Sequence, residues 1–186
     1  MLVIRRLLVK KSIFFVLSAA IALSIPPISA NAADETMPTV GQTAPTFTLP
    51  SQDGSQISLD SFRGKWVVLY FYPKDMTTGC TIEAHNFQNA MDDFAKKNAV
   101  ILGVSVDSAE SHQQFCAKDG LTFHLLADTE HKVTTAYGSL TERNGNQMAL
   151  RNTFLINPEG KIAQVWTKVN PQTAASDVLA AIPDGK

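Results

Sequence analysis

Runs of apolar residues divide most of the chain into predicted strands and helices. Two short segments that alternate apolar with polar residues flank Asp53-Gly54, which predicts a β-hairpin. Two continuous runs of β-branched and aromatic residues, 66–72 and 100–106, are typical of strands buried on both faces of a sheet. Between these runs, apolar residues spaced by three and four predict one helix over residues 80–97.

The pattern continues with shorter elements in the second half of the chain. Ser108 is a candidate N-cap for a helix that runs to about Lys118, and Gly120 is the expected terminator. The remaining pattern predicts, in order, a short strand (123–126), a short helix (131–137), a polar loop (141–147), a β-hairpin (153–156 and 162–166) and a closing helix (173–182).

The order of these elements predicts the fold class. A βαβ unit followed by an antiparallel hairpin and a helix gives a mixed sheet with helices on both faces. We therefore expect an α/β protein with a thioredoxin-like fold, in which a mixed central sheet is flanked by helices and preceded by an N-terminal β-hairpin extension. No internal repeat or second linker is evident, so one domain over residues 45–186 is expected, after a flexible polar lead-in at 33–44.

The first 32 residues have the pattern of a secretory signal peptide. A basic start precedes an uncharged apolar run at 12–25, and Ala30-Asn31-Ala32 has the small-x-small form of a cleavage site. The alternative is a retained membrane anchor, but the run is short for a span of about 20 residues. We expect export to the periplasm or an equivalent extracytoplasmic compartment, with no membrane attachment after cleavage.

Charge excludes one class of partner. Four of the 16 basic residues and none of the 17 acidic residues lie before position 33, so cleavage would change the net charge from −1 to −5. The chain has no basic stripe, and we expect no nucleic-acid partner.

Cys80 is the first candidate for chemistry. It lies in the first turn of a predicted helix, directly after a predicted central strand and a polar loop. The N-terminus of a helix carries partial positive charge and unpaired N–H groups, which favour a thiolate over a thiol. The alternative is an inert buried cysteine.

Reduction of a peroxide needs more than a thiolate, because the peroxide must be oriented and the leaving oxygen stabilised. Thr77, three residues before Cys80, can present a hydroxyl to the same point. Arg151, ahead of a predicted strand, can bring a permanent cation with several donors to the cysteine loop. Pro73 removes a backbone donor and shields the loop. Glu83 could hold the Arg151 side chain or cap the start of the helix.

These residues resemble a known signature. Pro73-x-x-x-Thr77-x-x-Cys80 together with the segment 151–154 resembles the active site of peroxiredoxins, and the flanking residues are similar to the bacterioferritin-comigratory protein subgroup, also called peroxiredoxin Q. The likeness extends over most of residues 38–182. It implies a monomer that reduces hydrogen peroxide and organic hydroperoxides, with electrons from thioredoxin or a similar dithiol protein. It implies no metal, haem or flavin.

The chain departs from the subgroup at two positions. Thr78 replaces a frequent proline, and His85 occupies the position where many members carry a resolving cysteine. Other members carry that cysteine on the next helix, which corresponds to Cys116. The resemblance thus implies a Cys80–Cys116 disulfide, and the alternative is that Cys116 is a small core residue.

Two other functions remain as alternatives. A thioredoxin-like thiol–disulfide oxidoreductase or redox carrier requires Cys-x-x-Cys, and Glu83 occupies the second cysteine's position. A copper-delivery module on the same fold requires Cys-x-x-x-Cys, which is also absent. A metal site made from Cys80 and His85 has no further ligands at suitable spacing.

Overall fold

A computed structural model of the chain describes residues 37–184. The predicted signal peptide and the first four residues of the predicted lead-in lie outside this range. Within it, none of the helices has the length and apolar character that crossing a membrane would require.

A five-stranded mixed sheet forms the centre of the domain. Its strands, in spatial order, are β5 (His124–Ala127), β4 (Ala99–Ser105), β3 (Trp66–Phe71), β8 (Thr153–Ile156) and β9 (Ile162–Trp166). Strand β3 pairs in parallel with β4 and antiparallel with β8, and β4 pairs in parallel with β5. A separate hairpin precedes them, formed by β1 (Thr48–Pro50) and β2 (Gln56–Ser58).

The central strand β3 buries alternate side chains on opposite faces of the sheet. Val68 and Tyr70 belong to a core cluster that includes residues from four helices. Val67 and Leu69 belong to a second cluster that includes residues from another helix and the hairpin. The prediction of a mixed sheet covered on both faces, with a hairpin in front, is therefore confirmed.

The helices run over α1 (Thr78–Asn89), α2 (Met91–Lys96), α3 (Ala109–Asp119), α4 (Lys132–Ala136) and α5 (Ala174–Ala181), and a 3₁₀ turn spans Leu59–Phe62. The predicted caps of α3 are confirmed. The Ser108 hydroxyl accepts a hydrogen bond from the backbone N–H of Ser111, and Gly120 ends the helix in the left-handed conformation.

The prediction of one continuous helix over residues 80–97 is wrong, because two helices occupy this segment. Ala90, with φ of −95° and ψ of 2°, leaves the helical conformation and separates α1 from α2. The break lets the two segments follow different neighbours, since α1 packs against α5 and α2 packs against β4.

The prediction of a polar loop at 141–147 is also wrong. Strands β6 (Leu140–Arg143) and β7 (Asn146–Ala149) form an antiparallel hairpin there. Asn144 and Gly145 connect them with positive φ angles of 53° and 75°. Asn-Gly between short strands is a strong hairpin signal, so the sequence did contain the information.

The described part of the predicted lead-in is hydrogen-bonded to the domain. The Gly41 N–H donates to the Ile162 carbonyl at 2.8 Å, and the Ala44 N–H donates to the Gly160 carbonyl at 3.0 Å. These bonds hold residues 41–44 beside the turn between β8 and β9.

Candidate active site

Cys80 lies at the point where the chain leaves the sheet and enters α1. Thr77 is the N-cap of this helix, with an extended backbone, and Cys80 is its third residue. The Cys80 side chain is buried, with 1% of its surface exposed. The predicted position at a helix N-terminus is therefore present, and the sulfur is shielded from bulk water.

Arg151 brings a positive charge to this sulfur. Its Nη2 donates to the Cys80 Sγ at 3.3 Å, and its Nη1 donates to the Glu83 carboxylate. Strand β8 positions Arg151, because it pairs antiparallel with β3 and so begins at the edge where β3 ends. The structure thus brings Arg151 into contact with Cys80, although 71 positions separate the two residues in the chain.

Glu83 is fully buried one helical turn beyond Cys80. Of the two roles left open for it, the structure favours holding Arg151, since the N-cap of α1 has no side-chain hydrogen bond. Burial raises the pKa of Glu83 to about 7, against the opposing effect of the Arg151 charge. Its Oε1 has no hydrogen-bond partner among the described residues.

Gly79, the residue before Cys80, packs beside the guanidinium. A Cβ atom at this position would lie 3.4 Å from Arg151 Nη2 and 3.8 Å from Pro171 Cγ. These are ordinary van der Waals distances, so a small side chain would fit here beside Arg151.

The other two predicted site residues lie in the loop before α1. Thr77 is exposed, and its hydroxyl donates to the Lys74 carbonyl at 3.0 Å. This bond shapes the loop and leaves the lone pairs of the hydroxyl oxygen free to accept. Pro73 is half-buried, two residues after the end of β3.

A buried polar cluster, which sequence reasoning missed, connects this loop to α3. The Asp75 carboxylate accepts hydrogen bonds from the Tyr72 hydroxyl at 2.7 Å, from the Ser111 hydroxyl at 2.7 Å and from His112 Nδ1 at 2.8 Å. Burial would raise the pKa of Asp75, but these bonds and the His112 charge hold it below its ordinary value. The polar pair Asp75 and His112 gave no signal in the sequence, because 37 residues separate them.

Cys116 lies in α3, one helical turn after His112. It is half-buried against the core cluster that contains Cys80, and both thiols are free. Burial, with a contribution from the negative charge of Asp75, raises the pKa of Cys116 to about 11. In this conformation Cys116 is therefore a thiol at neutral pH.

His85 has a structural contact on the exposed side of α1. Its Nε2 lies 3.3 Å from Asp119 Oδ1, at the end of α3. Across residues 37–184, there is no group of three or more His, Cys, Asp or Glu side chains that could hold a metal ion.

The arrangement around Cys80 can act on a small electrophile. The N–H groups in the first turn of α1 and the Arg151 guanidinium lie at the sulfur, and donors of this kind can stabilise negative charge on a departing oxygen. A buried sulfur beside a fixed cation is therefore suited to nucleophilic attack on a peroxide.

Comparison with known proteins identifies the family. A model of the AhpC/TSA family matches residues 40–165. A putative peroxiredoxin bcp of Coxiella burnetii is 44% identical over 147 residues, which cover 77% of this chain and 97% of the relative. Peroxiredoxin Bcp of Bacillus subtilis is 42% identical over 149 residues, with coverage of 78% and 95%.

Solved structures agree with these matches. Xylella fastidiosa PrxQ, in a cysteine-to-serine mutant, superposes with a TM-score of 0.74 at 34% identity, over 78% of this chain and 95% of its own. The Xanthomonas campestris bacterioferritin comigratory protein, studied for alkyl peroxide reduction, gives 0.69 at 41% identity over 73% and 89%.

Two further structures of Xanthomonas campestris PrxQ each carry one cysteine-to-serine change, and the two changed cysteines are 36 positions apart. The neighbours share the thioredoxin-like fold expected from the sequence. The chain belongs to the AhpC/TSA family and, within it, to the Bcp/PrxQ peroxiredoxins, which are thiol-dependent peroxidases.

Proposed function

We propose that Cys80 is the peroxidatic cysteine of this peroxidase and that Arg151 is the cation that activates it. The observation that carries the proposal is the 3.3 Å contact from Arg151 Nη2 to the Cys80 Sγ at the start of α1. Membership of the family indicates the class of reaction. The contact indicates which two residues we propose for its first step.

The first chemical step forms a sulfenic acid. The Cys80 thiolate attacks one oxygen of ROOH, the O–O bond breaks, and the RO⁻ that leaves takes a proton to become an alcohol or water. Sulfur is oxidised and the peroxide is reduced. Arg151 stabilises the charge on the leaving oxygen, and Glu83 fixes the orientation of the guanidinium. In this proposal, Thr77 accepts a hydrogen bond from the peroxide, and Pro73 keeps one face of the loop free of backbone donors.

Cys116 completes the cycle in this proposal. Its thiol attacks the Cys80 sulfenic acid, which forms a disulfide and releases water. Support comes from its position on α3 beside the same core cluster, and from the 36-residue separation that Cys80–Cys116 shares with the two cysteines changed in Xanthomonas campestris PrxQ. A thioredoxin-like dithiol protein then reduces the disulfide.

The substrates proposed are hydrogen peroxide and organic hydroperoxides, and the alkyl peroxide activity named for the Xanthomonas campestris relative supports the second class. The signal-peptide pattern of residues 1–32 supports export to a periplasmic or equivalent compartment. The reductant would then be an exported dithiol protein. The enzyme is proposed to act as a monomer.

Peroxide consumption with dithiothreitol as reductant tests the catalytic proposal. The protein comprising residues 33–186 is compared with Cys80→Ser and Cys116→Ser. Loss of turnover is expected only for Cys80→Ser, because dithiothreitol can reduce a sulfenic acid directly. Equal turnover by the wild type and Cys80→Ser would refute the role of Cys80.

A second measurement tests Cys116 and the compartment. One equivalent of peroxide should convert the reduced protein to a Cys80–Cys116 disulfide, seen by non-reducing mass analysis; a stable Cys80 sulfenic or sulfinic acid beside a free Cys116 would exclude that route. Expression of the full chain with cell fractionation should yield a processed protein outside the cytoplasm, and an unprocessed cytoplasmic protein would contradict export.

A further inference from the structure

The Asp75 carboxylate is the centre of the polar cluster between the active-site loop and α3. It is 5% exposed and accepts three hydrogen bonds. Two of the donors, Ser111 and His112, are consecutive residues of α3, whereas Tyr72 precedes Asp75 by three residues. One buried side chain therefore ties the loop that precedes Cys80 to the first half of the helix that carries Cys116.

A second set of bonds strengthens this connection. The backbone N–H of Asp75 donates to Asp107 Oδ2 at 3.0 Å, and Asp107 lies directly before the N-cap of α3. The same Oδ2 accepts from the Ser105 hydroxyl at 2.8 Å, at the end of β4. Both the side chain and the backbone of Asp75 are thus bonded to the segment that starts α3.

The far end of α3 has its own contact with α1, through His85 Nε2 and Asp119 Oδ1. Cys116 lies between the two attachments. A helix held at both ends cannot carry a thiol toward a neighbouring helix unless one attachment opens, and the attachment at Asp75 has more bonds and is the more buried.

Formation of a Cys80–Cys116 disulfide requires the two sulfurs to approach each other. They are not bonded in this conformation, and a disulfide requires an S–S distance of about 2.05 Å with Cα atoms within about 7 Å. Cys80 is held by Arg151 and the first turn of α1. We therefore expect the thiol on α3 to approach, and the bonds from α3 to Asp75 oppose a movement of this helix.

We propose that Asp75 is a positioning residue that holds α3, and with it Cys116, away from Cys80 and so sets the rate at which the sulfenic acid is resolved. The proposal rests on the proposed role of Cys116. Hydrogen bonds to a buried carboxylate are stronger than neutral ones, so their loss should change the opening equilibrium of α3 measurably.

The rate of resolution decides between two fates of the sulfenic acid. Cys116 converts it to the disulfide with release of water, whereas a second ROOH oxidises it to the sulfinic acid with release of ROH. If α3 is held tightly, disulfide formation is slow, and a larger fraction of the sulfenic acid reacts with a second peroxide. The Asp75 attachment therefore also sets how much peroxide the enzyme tolerates before it is inactivated.

The test measures the rate of sulfenic acid formation and the rate of disulfide formation separately. Reduced protein is mixed with hydrogen peroxide, and the products are followed by rapid quenching, alkylation and mass analysis. Ser111→Ala removes one α3 bond to Asp75 without altering the loop, and alanine favours helix. We expect disulfide formation to become faster by roughly fivefold or more, from the loss of a hydrogen bond to a charged group. Sulfenic acid formation should change less than twofold, and the sulfinic fraction at excess peroxide should fall.

Three control variants distinguish this role from a general destabilisation of the protein. Ser111→Thr keeps the hydroxyl and should resolve at the wild-type rate, as should Gln114→Ala on the exposed face of α3. Val133→Ala destabilises the core on the opposite face of the sheet and should not accelerate resolution. Asp75→Asn should accelerate it more than Ser111→Ala.

If the wild type forms the disulfide and neither Ser111→Ala nor Asp75→Asn changes the rate of disulfide formation, this inference is overturned and the proposed role of Cys116 is not. Acceleration by Val133→Ala equal to that by Ser111→Ala would also overturn it. A wild type that never forms the Cys80–Cys116 disulfide would overturn the proposed role of Cys116 and this inference with it.

Discussion

Arg151 Nη2 lies 3.3 Å from the Cys80 sulfur, although the two residues are 71 positions apart in the chain. The antiparallel pairing of β8 with β3 produces this proximity, because it places the start of one strand beside the end of the other. The central sheet, rather than the loop, is thus the element that brings the Arg151 guanidinium to the Cys80 sulfur.

We expect Arg151→Lys to slow oxidation of Cys80 by roughly 100-fold, the usual effect of removing one donor that stabilises developing charge. Lysine keeps the charge, but it lacks the planar guanidinium whose two Nη groups donate one to the sulfur and one to Glu83. Stopped-flow kinetics with hydrogen peroxide measure the rate, with Arg143→Lys on the exposed strand β6 as the control. Equal rates for Arg151→Lys and the wild type would contradict the role of the guanidinium.

Glu83 should make folding stability depend on pH in an unusual direction. Its pKa is raised from 4.5 to about 7 in the folded protein. Between these values the folded state holds a proton that the unfolded state has lost, so stability falls as pH rises through this window. The decrease should be on the order of a few kcal/mol.

Urea unfolding between pH 4.5 and pH 7 measures this effect, within the window set by the Glu83 pKa. Glu83→Gln keeps an oxygen that can accept from Arg151 and removes the titration. Its stability should therefore vary less with pH across this window than that of the wild type. Identical pH profiles for the two proteins would exclude Glu83 as the source.

Cys116 should react slowly with alkylating reagents at neutral pH, because its pKa is raised to about 11 by burial and by Asp75. In a Cys80→Ser background, its alkylation rate should still rise with pH well above 9.0, the ordinary value. Adding Asp75→Asn should lower the midpoint of this rise. A plateau in the rate near pH 9 would show that neither burial nor Asp75 affects this thiol.

Gly79→Ala should leave the rate of Cys80 oxidation close to the wild-type value. The added Cβ would lie 3.4 Å from Arg151 Nη2, which is an ordinary van der Waals contact. Alanine also favours helix over glycine. Stopped-flow kinetics measure the rate, with Thr78→Ala at the exposed neighbouring position as the matched control, and a severalfold loss in Gly79→Ala alone would contradict this expectation.

Gly103→Ala should instead destabilise the fold by about 1–3 kcal/mol, the usual cost of overpacking. A Cβ there would lie 2.7 Å from Leu125 Cδ2 and 2.8 Å from the Tyr70 ring and hydroxyl. Tyr70→Phe removes that hydroxyl, which has no hydrogen-bond partner among the described residues. The double variant should therefore recover part of the stability in urea unfolding, and no recovery would argue against a clash at the hydroxyl.

The sequence predicted the elements that depend on local pattern. The buried strands β3 and β4 and the caps of α3 at Ser108 and Gly120 follow from rules that act over a few residues. The break at Ala90 was missed because it results from two helix segments packing on different neighbours, which is a tertiary effect. The Asn144-Gly145 hairpin was missed although its turn signal is local.

The site residues that could be predicted are those whose position at the start of a helix or strand favours a chemical role. Cys80 and Arg151 were identified from a helix start and a strand start, and the structure brings them together. The cluster around Asp75 was missed, because only the folded topology brings Asp75 beside Ser111 and His112. Long-range polar contacts of this kind have no periodicity that a single sequence can display.

The burial of Cys80 limits what can reach its sulfur. With 1% of its surface exposed, the sulfur is closed to a bulky oxidant such as a protein disulfide, which would have to approach along the S–S axis that exchange requires. The proposed nucleophile is thereby insulated from competing thiol chemistry in its surroundings.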